Sequence, residues 1–263
     1  MLTHTSGLGY DFGDDKEITG GGSNTNLSLE ENFTLYAERV PLTFEPGTAW
    51  QYGVSIDVLG AVIEQITGGR LADAVAKYVT GPLDMKDTGF TVTDTERLAV
   101  PYADGPPGLR RMRDPDTVIE PNGTKTEFSP GRIFNPRAFQ SGGSGMAGTA
   151  DDLFTFFEAI RNRGMPILHP DTVAQAIQNQ IGEVPMDPSR AGFRFGYLGA
   201  VTVDPVAAKR PFSAGTIRWG GVYGHDWFVD FTEGITAVLF TNTAMEGCRG
   251  AHPRDVANAI YDV

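Results

Sequence analysis

Tyr52 is the residue that its local sequence places best to act as a base. It follows a Pro-Gly-Thr turn at residues 46–48 and precedes a predicted helix. The dipole of that helix and a nearby lysine would lower the pKa of the phenol. Tyr52 could then take a proton from a serine and return it to a leaving group. The alternative is that Tyr52 only packs against the start of the helix.

A second motif of interest is a glycine-rich strand end in the last third of the chain. It reads Trp219-Gly220-Gly221-Val222-Tyr223-Gly224-His225. Two interpretations of its histidine are open. His225 lines a site or hydrogen-bonds an intermediate there, or it is a structural histidine in a turn between strands.

The sequence lacks the nucleophile motif that belongs with these two. Ser-x-x-Lys supplies the nucleophile in one class of acyl-transfer enzymes. No lysine of this chain has Ser, Thr or Cys three residues before it, and the five are Lys16, Lys77, Lys86, Lys125 and Lys209. Ser144 is an alternative candidate, but Met146 stands where the Gly-x-Ser-x-Gly pattern has its outer glycine. Ser6 is a further alternative.

Composition restricts the partners that the chain can have. Its 263 residues carry a net charge of −12, which disfavours nucleic acid and anionic membranes. No apolar run approaches the ~20 residues of a membrane span. The first residues lack a signal-peptide pattern, and Cys248 is the single cysteine. We expect a cytoplasmic protein whose partner is a small ester or acyl molecule, and which can form a homo-oligomer or pair with a missing N-terminal segment.

Neither a metal nor a cofactor is predicted. The histidines and acidic residues have no ligand spacing, and the glycines at residues 20–22 lack the lysine of a phosphate loop. The cluster of Asp11, Asp14 and Asp15 is best interpreted as a solvated loop.

The first part of the chain, residues 1–190, is predicted to be mostly helix and loop. Ser28 and Glu31 form a capping-box pattern that opens a helix ending near Val40. Ser55 is predicted to cap a second helix that ends at Gly68. Further helices are expected at 71–79, after Thr149, and from Pro170 to about residue 180. Proline and glycine are dense in residues 101–140, which predicts a long loop.

The remaining part, residues 191–263, is predicted to form a sheet and a final helix. Strands are expected at residues 194–203, 211–219, 226–231 and 234–242, at hairpin spacing. A helix from Pro253 then closes the chain. Helices followed by an antiparallel meander predict an α+β fold in a single domain.

Five motifs together resemble a known family. They are Leu2-Thr3-His4-Thr5-Ser6-Gly7-Leu8, Phe44-x-Pro46-Gly47-Thr48-x-Trp50-x-Tyr52, Asp57-Val58-Leu59-Gly60, Pro82-Leu83-x-Met85-x-Asp87-Thr88 and Trp219-Gly220-Gly221-x-Tyr223-Gly224-His225. Their order and spacing resemble the β-lactamase-related serine hydrolases, most of all the family VIII carboxylesterases. The resemblance implies a β-lactamase/transpeptidase-like fold: an antiparallel sheet flanked by helices, with a helical subdomain.

The resemblance also implies roles for the two motifs. Tyr52 matches the general base of the family. Trp219, Gly220 and Gly221 match its third motif, which lies on a strand beside the nucleophile. The backbone N–H of Val222 matches one donor of the oxyanion hole. The paired glycines let an acyl group lie close to the strand.

Two departures from the family pattern indicate the substrate class. Trp219 stands where true β-lactamases have the lysine that grips a carboxylate, and it offers an apolar wall instead. Val54 stands where the family's Tyr-x-Asn has its amide. Both changes favour neutral acyl esters over penicillins.

A third departure concerns the start of the chain. In the family, Ser-x-x-Lys and the first strands precede the segment that matches residues 2–8. We therefore expect the N-terminal part of the domain to be missing here. In this fold those strands pair with the last strand, so residues 234–240 would form an unpaired apolar edge that invites aggregation or pairing with another chain.

Several functions fit these observations. The leading hypothesis is a serine carboxylesterase that works through an acyl-enzyme, with its nucleophilic serine and lysine upstream of this chain. An acyltransferase is possible within the same class, and a β-lactamase or D-amino-acid peptidase fits less well. The alternative from another class is a non-catalytic fragment or pseudoenzyme that binds acyl ligands or a partner chain.

Overall fold

The computed structural model describes residues 1–10, 18, 23–105, 108–120, 123 and 125–263. The acidic cluster of Asp11, Asp14 and Asp15 and the glycines at 20–22 lie outside this range. Among the described helices, none combines the length and the apolar character needed to cross a membrane.

The described helices largely follow the sequence predictions. They are α1 Leu29–Arg39, α2 Ser55–Thr67, α3 Leu71–Val75, α4 Ala150–Arg161, α5 Pro170–Ala176, α6 Pro205–Ala208, α7 Glu246–Arg249 and α8 His252–Ile260. The capping box of Ser28 and Glu31 is formed, and Gly68 ends α2 in the left-handed conformation. The prediction that Ser55 caps α2 was wrong, because Val54 occupies the cap position and Ser55 is already helical.

The strands form one main sheet and two small ones. They are β1 Tyr102–Ala103, β2 Arg110–Arg111, β3 Asp116–Ile119, β4 Lys125–Phe128, β5 Phe193–Phe195, β6 Ala200–Thr202, β7 Ile217–Gly221, β8 His225–Asp230, β9 Ile235–Phe240 and β10 Thr243–Ala244. Strands β5 to β9 make an antiparallel meander in chain order. The strand expected at residues 194–203 is two strands of a hairpin, β5 and β6.

Helices cover both faces of the main sheet, as an α+β layering requires. On one face, Phe157 and Ile160 of α4 pack with Ile217 and Val229 of the sheet. On the other face, Ala257 of α8 packs with a second set of buried side chains. The alternation of side chains along each strand sends successive residues to these two cores. The sheet is thus buried on both sides, and its strands hold a fixed register.

The predicted long loop at residues 101–140 contains short strands instead. The hairpin of β3 and β4 and the pairing of β1 with β10 organise it. Its buried residues, including Met112 and Phe128, form a small core against which Val222 and Tyr223 pack. Two- to four-residue strands leave too little periodicity to be detected in a sequence. The segment therefore supports the turn that follows β7.

β9 is the outer strand of the main sheet. It pairs with β8 on one side, and no described strand pairs with its other side. A groove of about 390 Å³ runs beside it, lined by residues of α4, β9 and α8 that include Phe154, Val238 and Ile260. Apolar side chains thus line this side of the sheet.

Candidate active site

Two stretches of backbone bring Tyr52 to the end of the sheet. The N–H of Gly47 donates to the carbonyl of Thr5 at 2.7 Å, and that of Gln51 donates to the carbonyl of His4 at 2.9 Å. These bonds tie the first residues of the chain to the segment that leads into α2. The Tyr52 ring is then 5.2 Å from the Trp219 ring, centroid to centroid. Residues 167 positions apart in the chain are therefore neighbours.

Burial dominates the electrostatics of Tyr52. It raises the pKa of the phenol above its ordinary value. Polar contacts with the Trp219 indole and the Tyr10 hydroxyl act in the opposite direction, whereas the charges of Asp57 and Cys248 add to the rise. The prediction of a lowered pKa was therefore wrong for the described residues. Within them, Tyr52 is a protonated phenol at neutral pH.

The glycine-rich motif forms the end of β7 and the turn after it. Trp219, Gly220 and Gly221 pair with β8, where His225 lies opposite Gly221. Gly224 closes the turn with φ of 111°, a conformation that favours glycine. Within the described part of the chain, the N–H of Val222 has no hydrogen-bond partner. A donor with no internal partner at the end of a strand is available to an oxyanion.

His225 lies beside this strand end, half-buried. Its ring packs on Phe240 with centroids 4.5 Å apart. Burial lowers its pKa, so the imidazole is neutral at pH 7. A neutral imidazole next to Gly221 can donate or accept one hydrogen bond. Its role in lining the site remains a prediction.

Ser144 lies in a turn organised by a buried carboxylate. The hydroxyl of Ser141 donates to Asp57, and the N–H groups of Gly143 and Ser144 donate to that same hydroxyl. The Ser144 hydroxyl is 3.3 Å from that of Ser141. In the described residues, neither a lysine nor a histidine hydrogen-bonds to Ser144. Asp57 thus shapes the glycine-rich turn, and Ser144 remains a candidate without an activating base.

Ser6 has a structural partner. Its hydroxyl is 2.7 Å from the hydroxyl of Ser55, the first residue of α2. This contact holds the first segment of the chain against the helix that follows Tyr52. Among the described residues, no lysine or histidine hydrogen-bonds to Ser6, and the same holds for Ser144.

An aromatic cluster around Tyr52 was not predicted from the sequence. The His4 ring is 4.5 Å from the Tyr52 ring and 5.3 Å from that of Phe195. Phe195 also meets Trp219, at 5.1 Å. Tyr10 lies 5.7 Å from Tyr52. His4 belongs to a motif of the family resemblance, but its type and spacing gave no sign of this contact, which forms only in the fold.

His4 is itself a buried acceptor. The N–H of Gly53 donates to its Nδ1 at 3.3 Å. Burial lowers the pKa of His4 to about 4, so the ring is neutral. It therefore fixes the backbone next to Tyr52 rather than carrying charge.

Metal-ligating side chains do not converge here. Among the described residues, no three His, Cys, Asp or Glu side chains are placed to hold an ion. The polar groups that the described residues place at the site include the phenols of Tyr52 and Tyr10, the Trp219 indole, the imidazoles of His4 and His225, and backbone N–H groups. This set suits the binding of an acyl group and the handling of its proton and oxyanion.

Comparisons with known proteins identify the family of the chain. The β-lactamase family model matches residues 1–260. Esterase EstB of Burkholderia gladioli is 45% identical, over 99% of this chain and 68% of EstB. The solved structure of EstCE1, "a hydrolase with promiscuous acyltransferase activity", is 37% identical with a TM-score of 0.89, over 99% of this chain and 70% of EstCE1. The predicted resemblance and the predicted fold class are confirmed.

A more distant relative is similar over less of its length. Lovastatin esterase of Penicillium rubens is 27% identical over 90% of this chain and 62% of that protein. The chain thus spans about two thirds of the length of these relatives.

Proposed function

The chain belongs to the β-lactamase family, and from this membership we propose that it carries most of the active site of a serine carboxylesterase. The observation that carries the proposal is the contact between Tyr52 and Trp219, which puts the candidate base at the strand that ends in the Val222 N–H. Base and oxyanion donor are the two groups that acyl transfer requires beside a nucleophile.

The proposed reaction has two halves. A serine hydroxyl attacks the ester carbonyl, its proton passes to the Tyr52 oxygen, and the Val222 N–H holds the oxyanion. Tyr52 then gives the proton to the departing alcohol, which leaves an acyl-enzyme. In the second half, water attacks the acyl carbonyl, Tyr52 takes a proton from that water, and the serine oxygen leaves with the proton.

The nucleophile and its lysine are proposed to lie outside the 263 residues. The support is that no lysine of this chain follows a Ser, Thr or Cys at the required spacing. The pKa of Tyr52 is a second support. Burial raises it, so a cation must be brought close to the phenol before Tyr52 can act as a base. A lysine arriving with the nucleophile would supply that charge.

The proposed substrates are esters with an uncharged acyl group next to the reacting carbonyl. Trp219 presents a ring and not an ammonium group at the motif position that grips a carboxylate in β-lactamases. Val54, at the position of the family amide, is buried in the core beside α1 and α2. It therefore offers no polar contact for a β-lactam side chain.

Acyl transfer to an alcohol is a second candidate. The rings of His4 and Trp219 contact the base, and the Phe195 ring packs against both of them. Such a wall disfavours water and accommodates an apolar alcohol as the second substrate. EstCE1 is described as having promiscuous acyltransferase activity.

The test is covalent labelling by a fluorophosphonate, followed by intact mass. We expect no adduct on the 263-residue chain and one adduct on the product of the complete open reading frame that contains it. Tyr52→Phe in that product should label more slowly by at least about 100-fold, the scale of a general base. An adduct on Ser144 of the shorter chain would overturn the assignment of the nucleophile. Absence of any adduct on the longer one would favour a binding protein.

The second candidate needs a separate measurement. With the longer product, an ester and increasing concentrations of an alcohol, the ratio of transfer product to free acid distinguishes the two reactions. A ratio that rises with the alcohol and exceeds one at millimolar concentration would identify an acyltransferase.

A further inference from the structure

Arg190 places a positive charge beside the tryptophan of the glycine-rich motif. Its guanidinium carbon is 4.7 Å from the Trp219 ring centroid and 5.9 Å from that of Trp50. Trp219 is in turn 5.2 Å from Tyr52. These contacts put the guanidinium within about 10 Å of the Tyr52 ring, which is the Debye length in ~0.1 M salt.

The position of this guanidinium is fixed. Its Nε donates to Asp187 Oδ2 at 2.9 Å, and the backbone N–H of Arg190 donates to the Asp187 carbonyl at 2.9 Å. One face of the group meets the indole of Trp219, with which it makes a cation–π contact. The side chain is 29% exposed. The guanidinium is thus held by Asp187 at its Nε edge and by the Trp219 ring on one face, without any ligand.

The rest of the guanidinium is available for binding. In the described part of the chain, neither terminal nitrogen of Arg190 has a hydrogen-bond partner. Those two nitrogens carry four of the five N–H donors of an arginine, in the planar fork that matches a carboxylate. A preorganised fork loses little side-chain entropy when it binds.

We propose that Arg190 is a specificity-determining residue, which binds a carboxylate on the substrate at a distance from the reacting carbonyl. The inference rests on the proposed function. Three residue steps of extended chain lead from Trp219 to Val222, or about 10 Å at ~3.3 Å per residue. The carboxylate is therefore carried several methylene groups from the ester, as in a half-ester of adipate. Arg190, just before β5, thus places a cation beside Trp219, which itself stands where β-lactamases have a lysine.

Binding tests the inference without requiring catalysis. The 263-residue chain is titrated with monomethyl adipate and, as the uncharged control, dimethyl adipate, and tryptophan fluorescence follows binding. We expect the half-ester to bind about tenfold more tightly at low salt, the scale of one charge-assisted pair at a partly exposed site. This preference should shrink in ~1 M salt.

Variants assign the preference to one side chain. Arg190→Gln should remove the preference, and Arg190→Lys should retain only part of it, because an ammonium lacks the fork. Arg254→Gln is the matched control: it removes the same charge from α8, where Arg254 contacts Asp255. Thermal unfolding checks that each variant folds, and a misfolded Arg190→Gln leaves Arg190→Lys as the test.

Three results would overturn the inference: no binding of the half-ester, equal binding of the two adipates, or a preference that survives Arg190→Gln. The proposed function fails in a different way. If the complete open reading frame yields no labelled serine while the preference depends on Arg190, the esterase proposal is wrong and the carboxylate site stands.

Discussion

Alanine at Gly220 is expected to destabilise the strand pair that carries the site, whereas alanine at Gly221 is expected to cost little. A Cβ at Gly220 would lie 2.7 Å from the backbone oxygen of His225 and 3.1 Å from the Cys248 sulfur. A Cβ at Gly221 would first meet His225 Nδ1 at 3.2 Å. The backbone oxygen is held in the β7–β8 register and cannot withdraw, but the imidazole belongs to a side chain that can turn.

In all other respects we expect the two substitutions to change the free energy of unfolding equally. Neither glycine has a positive φ, so an alanine can adopt either backbone conformation. Both variants gain the same ~0.4–1 kcal/mol from a less flexible unfolded chain. Overpacking of a fixed contact costs about 1–3 kcal/mol. Gly220→Ala should therefore lower the free energy of unfolding by about 1–3 kcal/mol relative to Gly221→Ala, or by about 2–12 °C in Tm.

Urea unfolding followed by circular dichroism and by tryptophan fluorescence measures this difference. Coincident transitions would support the two-state treatment that the comparison needs. Equal stability of the two variants would refute the reasoning, since it would mean that β7 and β8 adjust freely at Gly220. Gly220→Ala should also weaken binding of dimethyl adipate, because a shifted β7 moves the Val222 N–H.

Three further predictions concern protonation and the open sheet edge. Tyr52 should titrate above its ordinary range in the 263-residue chain, so the absorbance titrations of the wild-type chain and of Tyr52→Phe should coincide near pH 10; an extra step of one tyrosine in the wild type at that pH would contradict the burial argument. Burial holds the pKa of His4 at about 4, below the ~6.5 of an unfolded chain, so protons bind the unfolded state first and stability is lost as pH falls from 6.5 to 4. Between pH 6.5 and 4, the free energy of unfolding measured in urea should fall by up to about 3 kcal/mol less in His4→Gln than in the wild-type chain. Parallel pH profiles of the two proteins would refute this. Phe240→Lys, at the end of the open edge of β9, should reduce self-association severalfold in sedimentation velocity relative to Phe134→Lys, an exposed control away from that edge.

Local signals in the sequence predicted most of the helices. The capping box at Ser28 and the cap at Thr149 depend on side chains within three residues of the backbone groups that they satisfy. Ser55 shows the limit of this reasoning. Its residue type is a good cap, but its hydroxyl is engaged by Ser6, a residue 49 positions away.

Short strands were the main elements of the fold that the sequence did not predict. β1 to β4 have two to four residues each and are stabilised by pairing and by the small core around Met112 and Phe128. Such strands have no periodicity of their own, and the high proline and glycine content of residues 101–140 predicted a loop. The pairing of β1 with β10 joins residues about 140 positions apart, which no local pattern encodes.

The sequence by itself determined the family, the α+β layering and the two motifs of the candidate site, because these depend on residue type, order and spacing. Only the tertiary structure decided what surrounds Tyr52. His4, Trp219 and the pair Phe195 and Arg190 come from three separate segments of the chain. Their packing buries the phenol and raises its pKa, whereas the local sequence alone predicted a lowered one. Desolvation depends on every atom that excludes water, so it becomes defined only when the chain has folded.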